Sequence, residues 1–191
     1  MSYKAVFLDR DGTINIDPGY LGEPDKVELL QGVAKGISLL KSKLKFKIIV
    51  ISNQSGITRG LISKSDVDAV NNKINYLLKL ENTSVDAFYY CPYHPDFDPP
   101  NKTECRKPSP NMILKAAEDF KIDLSKSYMV GDVISDVIAG NKAGTKTILL
   151  RSHDSDKTNN LNYDEKTPNF IASNFLDACK FIKNDYLGNI S

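Results

Sequence analysis

Short runs of apolar residues alternate along the chain with longer segments in which apolar residues recur every three or four positions. The runs predict strands, because continuous apolar stretches without polar alternation are typical of strands buried on both faces of a sheet. They lie at residues 5–8, 47–51, 85–90, 128–130 and 147–150, with a shorter sixth run at 170–172.

The segments with helical spacing lie between these runs and predict helices. The helices cover 32–43, a long stretch that Ser63 or Ser65 can cap, 109–120, 134–142 and 174–184. Alternating strands and helices favour a three-layer α/β fold, in which helices cover both faces of a parallel sheet. The proline-rich segment 92–110 predicts no regular structure, and the polar segment 151–168 predicts a surface loop.

The size and charge of the chain limit the number of domains and the kinds of partner that we expect. The chain has 191 residues, which fits one domain over 1–191. With 25 Lys and Arg against 24 Asp and Glu, it lacks the basic excess of a nucleic-acid binder. No window approaches the roughly 20 apolar residues of a membrane helix. We therefore expect a small-molecule ligand, no nucleic-acid or membrane partner and, by default, a monomer.

The cysteines and the first residues indicate the cellular compartment of the protein. Three cysteines are an odd number and too few for a disulfide framework, and they fit a reducing compartment. Cys179 falls among the apolar residues of the closing helix, where we expect it in the core. Residues 1–4 run directly into the first strand, so we expect no cleavable signal and a cytoplasmic protein.

Chemically active side chains follow the predicted strands at the points where the strands end. In open parallel sheets, binding sites lie beyond the carboxyl ends of the strands, so these side chains are expected to converge. In chain order they are Asp9, Asp11, Ser52, Asn53, Arg106, Lys107, Asp132 and Asp136. The sequence has no P-loop, no GxGxxG and no GxSxG motif, which disfavours a nucleotide-binding Rossmann unit and a serine hydrolase.

This set suits phosphoryl transfer to a carboxylate. Asp9 can attack phosphorus, and Asp11, on the same side of an extended chain, can protonate the leaving oxygen and later activate water. Asp9 and Asp132 offer the oxygen ligands that Mg²⁺ prefers. Ser52 and Lys107 can hold the phosphoryl oxygens as charge redistributes. Asp136 either caps a helix or orients the site.

Several segments resemble a known family. The motif around Asp9, together with Ser52, Lys107 and the Asp132/Asp136 pair in this order, resembles the haloacid-dehalogenase phosphatase superfamily. Within it, the chain resembles the D-glycero-D-manno-heptose 1,7-bisphosphate 7-phosphatases, whose closest relatives are the histidinol-phosphate phosphatases. The segments that carry this narrower resemblance are 7–15, 17–20, 51–60, 105–110 and 129–132.

The resemblance implies a Rossmann-like haloacid-dehalogenase fold and a role for individual residues. Asp9, Asp11, Ser52 and Lys107 match the catalytic positions, and Asp9, Asp11 (through its main-chain carbonyl) and Asp132 match the Mg²⁺ ligands. The positions that match substrate contacts are Arg10, Asp17, Pro18, Gly19, Tyr20, Asn53, Gln54, Ser55 and Arg106. The gaps 13–32 and 53–89 are too short for a large cap domain, so loops 14–25 and 91–105 are expected to bound the entrance.

Two positions depart from the family pattern. Val133 stands where the family often has a lysine. The family often has a zinc loop before the Arg-Lys-Pro segment, and Tyr93 and Thr103 replace two of its four ligands here. Cys91, His94 and Cys105 could bind zinc with water or Asp96 as the fourth ligand. Structural zinc sites have closed shells of four protein ligands, so we expect well under one equivalent.

Three functions follow from these observations. The first is an Mg²⁺-dependent phosphatase that removes the 7-phosphate of a heptose bisphosphate through an aspartyl phosphate. The second is a phosphatase of histidinol phosphate or another small phosphomonoester. The third is a non-catalytic phosphoacceptor like a response-regulator receiver, which Asp11 disfavours because receivers need no general acid at that position.

Overall fold

The computed structural model describes residues 2–151 and 165–188. Most of the polar segment predicted to be a surface loop at 151–168 therefore lies outside the described residues. Among the described residues, no helix is long and apolar enough to cross a membrane.

Six parallel strands form one sheet with the order β3-β2-β1-β4-β5-β6, so the first strand lies in the middle. The parallel α/β arrangement predicted from the sequence is confirmed. The strands are β1 (Ala5–Leu8), β2 (Lys47–Asn53), β3 (Ala87–Cys91), β4 (Tyr128–Gly131), β5 (Lys146–Leu150) and β6 (Phe170–Ala172).

Helices cover both faces of this sheet and produce two hydrophobic clusters. Val6 and Leu8 of β1 point to one cluster, which includes residues of α1, α2 and α6, whereas Ala5 and Phe7 point to the other, which includes residues of α4 and α5. The helices are α1 (Val33–Ser38), α2 (Lys64–Leu80), α3 (Pro100–Thr103), α4 (Asn111–Phe120), α5 (Ile134–Ala143) and α6 (Phe175–Gly188). Because β1 is buried on both faces, its carboxyl end is held rigidly at the centre of the sheet edge.

The structure decides between the two predicted caps of α2 and shows that α1 ends earlier than predicted. Ser63 caps α2, since its hydroxyl accepts a hydrogen bond from the Asp66 amide while the Asp66 carboxylate accepts one from the Ser63 amide. The helix predicted over 32–43 is α-helical only to Ser38, and residues Leu39–Lys43 form a π-helical turn. The Leu44 amide accordingly donates to the Leu39 carbonyl five residues earlier.

The proline-rich segment contains regular structure that the sequence did not predict. Residues Pro100–Thr103 form a single helical turn that begins on a proline. Proline is favoured in the first turn of a helix, where its missing amide hydrogen has no intrahelical partner. The prediction of no regular structure over 92–110 is therefore wrong for these four residues.

Candidate active site

The carboxyl ends of β1, β2 and β4 meet at one edge of the sheet, where a cleft of about 310 Å³ opens. Every residue that the sequence predicted for the site lines this cleft except Arg10, Pro18 and Asp136. Asp9 directly follows β1, and its amide donates to the Val130 carbonyl of β4, which continues the sheet pairing by one residue. A larger cavity of about 690 Å³ is also lined by Asp132, but carboxylates and cations do not converge in it.

Asp9 and Lys107 form a buried ion pair at the bottom of the cleft. Lys107 Nζ lies 2.8 Å from Asp9 Oδ1, and the Arg10 amide donates to the same oxygen at 2.7 Å. Lys107 Nζ also donates to the Ile51 carbonyl at 2.8 Å. These contacts fix the carboxylate and the ammonium against each other.

Asp136 is the second carboxylate partner of Lys107. Its Oδ1 lies 2.6 Å from Lys107 Nζ, and its Oδ2 accepts from the Val133 amide at the start of α5. Burial by itself lowers the pKa of Lys107, but the carboxylates of Asp136 and Asp9 outweigh burial and raise it to about 12. Lys107 therefore stays charged at neutral pH, and Asp136 both caps the helix and orients the lysine.

Three carboxylates converge beside Lys107. Asp9, Asp132 and Asp136 each offer an oxygen within 4.8 Å of the others. Burial, followed by the negative charge of Asp9, raises the pKa of Asp132 to about 6. Burial also raises the pKa of Asp136, although Lys107 opposes this effect. A divalent cation would relieve this concentration of negative charge, and the donor set of carboxylate oxygens fits Mg²⁺.

Gly12 allows Asp132 to approach the loop that follows β1. Its φ of 76° lies in the left-handed region, and a Cβ at this position would overlap the Asp132 carboxylate. Thr13 Oγ1 donates to Asp132 Oδ1 at 3.3 Å from the same loop. The loop after β1 thus positions the carboxylate that follows β4.

Asp11 is held on one wall of the cleft by several donors. The Arg10 guanidinium contacts both carboxylate oxygens at 2.9–3.1 Å. Asn15 Nδ2 and Gln54 Nε2 each donate to Asp11 at 2.9 Å. Gln54 Nε2 also donates to Ser52 Oγ at 2.6 Å, which links the walls formed by the residues after β1 and β2.

The structure does not place Arg10 where the sequence interpretation expected a substrate contact. Its side chain is 1% exposed, and its guanidinium contacts the cleft residues Asp11 and Gln54 and, behind them, Asn71. Arg10 is therefore placed to hold Asp11, and its contact with substrate stays a prediction. Pro18 is exposed and lies outside the cleft lining as well.

Asn53 lines the cleft and is also hydrogen-bonded to the backbone of Lys107. Its Oδ1 accepts from the Lys107 amide at 3.0 Å, and its Nδ2 donates to the Lys107 carbonyl at 3.1 Å. This pair of bonds joins the end of β2 to the segment that carries Lys107. Its effect is to fix where the lysine enters the cleft.

Sequence reasoning missed three polar residues at or behind the cleft. Ser135 lines it, and Asn15 and Asn71 support Asp11 and Arg10 from behind. Asn71 carried a usable signal, since it lies four residues after Val67 on the apolar face of α2 and is buried there. A polar residue on such a face needs a partner, and Arg10 provides it.

Two of the three cysteines, which the sequence analysis assigned to a reducing compartment, are paired in the structure. This pairing also rules against the zinc alternative. Cys91 and Cys105 form a disulfide, so neither offers a thiolate to a metal. His94 instead contacts Arg59 and Asp96. Cys179, by contrast, is free and buried in α6, as predicted.

Comparisons with known proteins agree with this geometry. Residues 104–178 match the family described as HAD-hydrolase-like. A D-glycero-D-manno-heptose-1,7-bisphosphate 7-phosphatase of Chlorobaculum tepidum is 41% identical over 160 residues, which cover 79% of this chain and 80% of that protein. The D-glycero-beta-D-manno-heptose-1,7-bisphosphate 7-phosphatase of Photorhabdus laumondii is 37% identical over 184 residues, 94% of this chain and 95% of that protein.

A solved structure shares the fold over nearly the whole chain. It is the D,D-heptose 1,7-bisphosphate phosphatase from B. bronchiseptica, crystallised with magnesium and phosphate. The two chains superpose with a TM-score of 0.82 and 28% sequence identity, covering 95% of this chain and 99% of the other. The similarity therefore includes the sheet edge at which the cleft lies.

Proposed function

Because this chain belongs to the family of D-glycero-D-manno-heptose-1,7-bisphosphate 7-phosphatases, within the haloacid-dehalogenase-like hydrolases, we propose that it removes the phosphate at C7 of that sugar bisphosphate and keeps the one at C1. The chain is a phosphatase. The observation that carries the finer proposal is the buried pair of Asp9 and Lys107, 2.8 Å apart, in a cleft that Arg106 and Tyr20 also line.

Asp9 is the proposed nucleophile. Both close contacts of its carboxylate go to Oδ1, so we assign the attack on phosphorus to Oδ2. A bond forms between Asp9 and phosphorus while the bond from phosphorus to the C7 oxygen breaks. Lys107 and the Ser52 hydroxyl hold the phosphoryl oxygens during this step, since fixed charges and donors in a water-poor cleft stabilise developing charge.

Asp11 is the proposed carrier of the proton. It gives a proton to the C7 oxygen as that oxygen leaves, and it then takes a proton from the water that attacks the aspartyl phosphate. The second step breaks the bond between Asp9 and phosphorus and regenerates the carboxylate. Arg10, Asn15 and Gln54 keep Asp11 in position through both steps.

Mg²⁺ is the proposed cofactor. Asp136 is fully buried and does not line the cleft, so we assign the ligands to Asp9, Asp132 and the main-chain carbonyl of Asp11. When bound, Mg²⁺ offsets the charge of the phosphate and allows a carboxylate to approach it. Thr13 and the close approach at Gly12 hold Asp132 ready for this role.

Activity is expected to need Mg²⁺ and to depend on Asp132. A strong chelator should abolish phosphate release, and added Mg²⁺ should restore it. In Asp132→Ala, the Mg²⁺ concentration for half-maximal activity should rise by roughly tenfold or more, since even outer partners of a metal site are worth about 10–100-fold in affinity. Asp25→Ala, at a carboxylate that is almost fully exposed, is the matched control. An unchanged Mg²⁺ requirement in Asp132→Ala would remove this residue from the ligand set.

The substrate is tested with a panel of phosphate esters. We expect the highest kcat/KM on the heptose 1,7-bisphosphate, ahead of heptose 7-phosphate, histidinol phosphate and p-nitrophenyl phosphate. The second phosphate supplies binding energy away from the reacting atom, and such energy can orient the reacting group in the transition state. A higher kcat/KM on histidinol phosphate or another monoester would overturn the substrate and leave the phosphatase chemistry intact. Val133 lines the cleft at a position where the family often has a lysine. The panel therefore also shows whether the preference for the bisphosphate persists without that lysine.

A further inference from the structure

Arg59 is an exposed residue whose guanidinium is nevertheless held in one place. Its Nη2 lies 3.1 Å from Nε2 of His94. Its central carbon lies over two aromatic rings, 5.0 Å from the centre of Phe97 and 5.9 Å from that of Tyr20. Binding a ligand normally costs an arginine side chain much of its conformational freedom. Because three contacts already fix the Arg59 guanidinium, this side chain is pre-organised for binding an anion.

Tyr20 connects Arg59 with the cleft. Its ring lines the cleft and packs closely on Gly56, where a Cβ would come within 2.7 Å of the ring. Arg59 lies three residues beyond Gly56 in the turn that follows β2, and its amide donates to the carbonyl of Ser55, another cleft residue. Arg59 therefore belongs to the same short turn that forms part of the cleft wall.

A second guanidinium lies near Arg59. Arg106 lines the cleft, and its Nη1 donates to the Tyr93 carbonyl at 3.3 Å. Burial, followed by the positive charge of Arg59, lowers the pKa of Arg106. Across residues 2–151 and 165–188, neither arginine has a carboxylate within ion-pair distance. The positive charges of Arg59 and Arg106 repel each other, and a bound dianion would attract both.

We infer that Arg59 joins Arg106, already a substrate contact by resemblance to the family, in binding the phosphate that is not hydrolysed, with Tyr20, Phe97 and His94 holding Arg59 in place. This inference rests on the proposed function, because it requires a substrate with two phosphates. The reacting phosphate lies at Asp9 and Lys107, and the other phosphate is at the opposite end of the sugar. Two planar guanidinium forks match the oxygens of a phosphate better than ammonium groups do.

The test compares kinetic constants of wild type, Arg59→Ala and Arg59→Lys on heptose 1,7-bisphosphate and on heptose 7-phosphate. Arg59→Ala should raise KM for the bisphosphate about 10- to 100-fold, the usual worth of a hydrogen bond between charged groups. Its kcat and its constants for the monophosphate should change less than threefold. Arg59→Lys should recover part of the loss. Lys115→Ala removes an exposed cation of α4, away from both entrance loops, and should leave both substrates unaffected.

The outcomes separate this inference from the proposed function. A wild-type enzyme that does not prefer the bisphosphate would overturn both. A wild-type preference that persists in Arg59→Ala would overturn the role of Arg59 alone. Equal losses on both substrates in Arg59→Ala would also overturn it, since they would show that Arg59 supports the cleft rather than the second phosphate.

Discussion

Asp9→Asn is expected to abolish phosphate release and to leave the fold intact. The amide has nearly the shape of the carboxylate but cannot act as the nucleophile toward phosphorus. Lys107 keeps Asp136 and the Ile51 carbonyl as partners, so its buried charge remains compensated. The measurement is steady-state phosphate release from the heptose bisphosphate in saturating Mg²⁺, together with the thermal midpoint of unfolding.

The control for this variant is the same substitution at an exposed site. Asp25→Asn changes a carboxylate that is 99% exposed and should keep full activity. A folded Asp9→Asn protein that releases phosphate at the wild-type rate would end the aspartyl-phosphate mechanism. If Asp9→Asn lost both activity and folding, phosphate release by both proteins would be compared at a lower temperature at which the variant is folded.

Asp11→Asn is expected to lower kcat by about 10²–10⁴, the usual contribution of a positioned general acid and base. The effect should depend on the leaving group. Nitrophenolate leaves without a proton, so p-nitrophenyl phosphate should phosphorylate the variant readily. The aspartyl phosphate should then persist, because no base activates the attacking water.

Stopped-flow absorbance distinguishes these steps. With p-nitrophenyl phosphate, Asp11→Asn should give a burst of nitrophenolate close to one per enzyme, followed by slow turnover. With the sugar phosphate, the first step should itself be slow. A loss of less than tenfold on the sugar phosphate would show that Asp11 does not carry the proton. The substituted amide keeps one acceptor oxygen for Asn15 or Gln54 but leaves the buried Arg10 guanidinium without its carboxylate partner, so the thermal midpoint of unfolding is measured beside the rates.

The position of the site could be predicted because strand ends obey a simple rule. The apolar run at Ala5–Leu8 indicated a strand buried on both faces, and the carboxyl ends of parallel strands meet at one edge. That rule placed Asp9, Ser52 and Asp132 near one another although they lie far apart in sequence. It needed no knowledge of side-chain direction, since each of these residues lies at or next to the end of its strand.

The direction of individual side chains could not be predicted in the same way. Arg10 lies between Asp9 and Asp11, yet its guanidinium is buried because it contacts Gln54 and Asn71 as well as Asp11. Those partners are 44 and 61 residues away, and only the packing of α2 against the sheet brings Asn71 into reach. The local pattern shows that Asn71 lies on an apolar helix face and needs a partner, but it does not identify Arg10 as that partner.

The loop between Cys91 and Cys105 shows a similar limit. Spacing alone left zinc binding as an alternative for these cysteines, whereas the fold places their two Cα atoms 5.5 Å apart, within the range for a disulfide. The same loop brings His94 and Phe97 to Arg59, a residue that the strand-end rule did not select. Its position depends on the turn after β2, which the rule does not describe.

The most direct test of the central claim is ³¹P nuclear magnetic resonance of the heptose 1,7-bisphosphate during turnover by the wild-type enzyme with Mg²⁺. The signal of the C7 phosphate should disappear and be replaced by inorganic phosphate in equal amount, while the C1 phosphate signal keeps its intensity. Asp9→Asn should leave both sugar phosphate signals unchanged. Loss of the C1 phosphate first, or no conversion by a folded wild-type protein in Mg²⁺, would contradict the account.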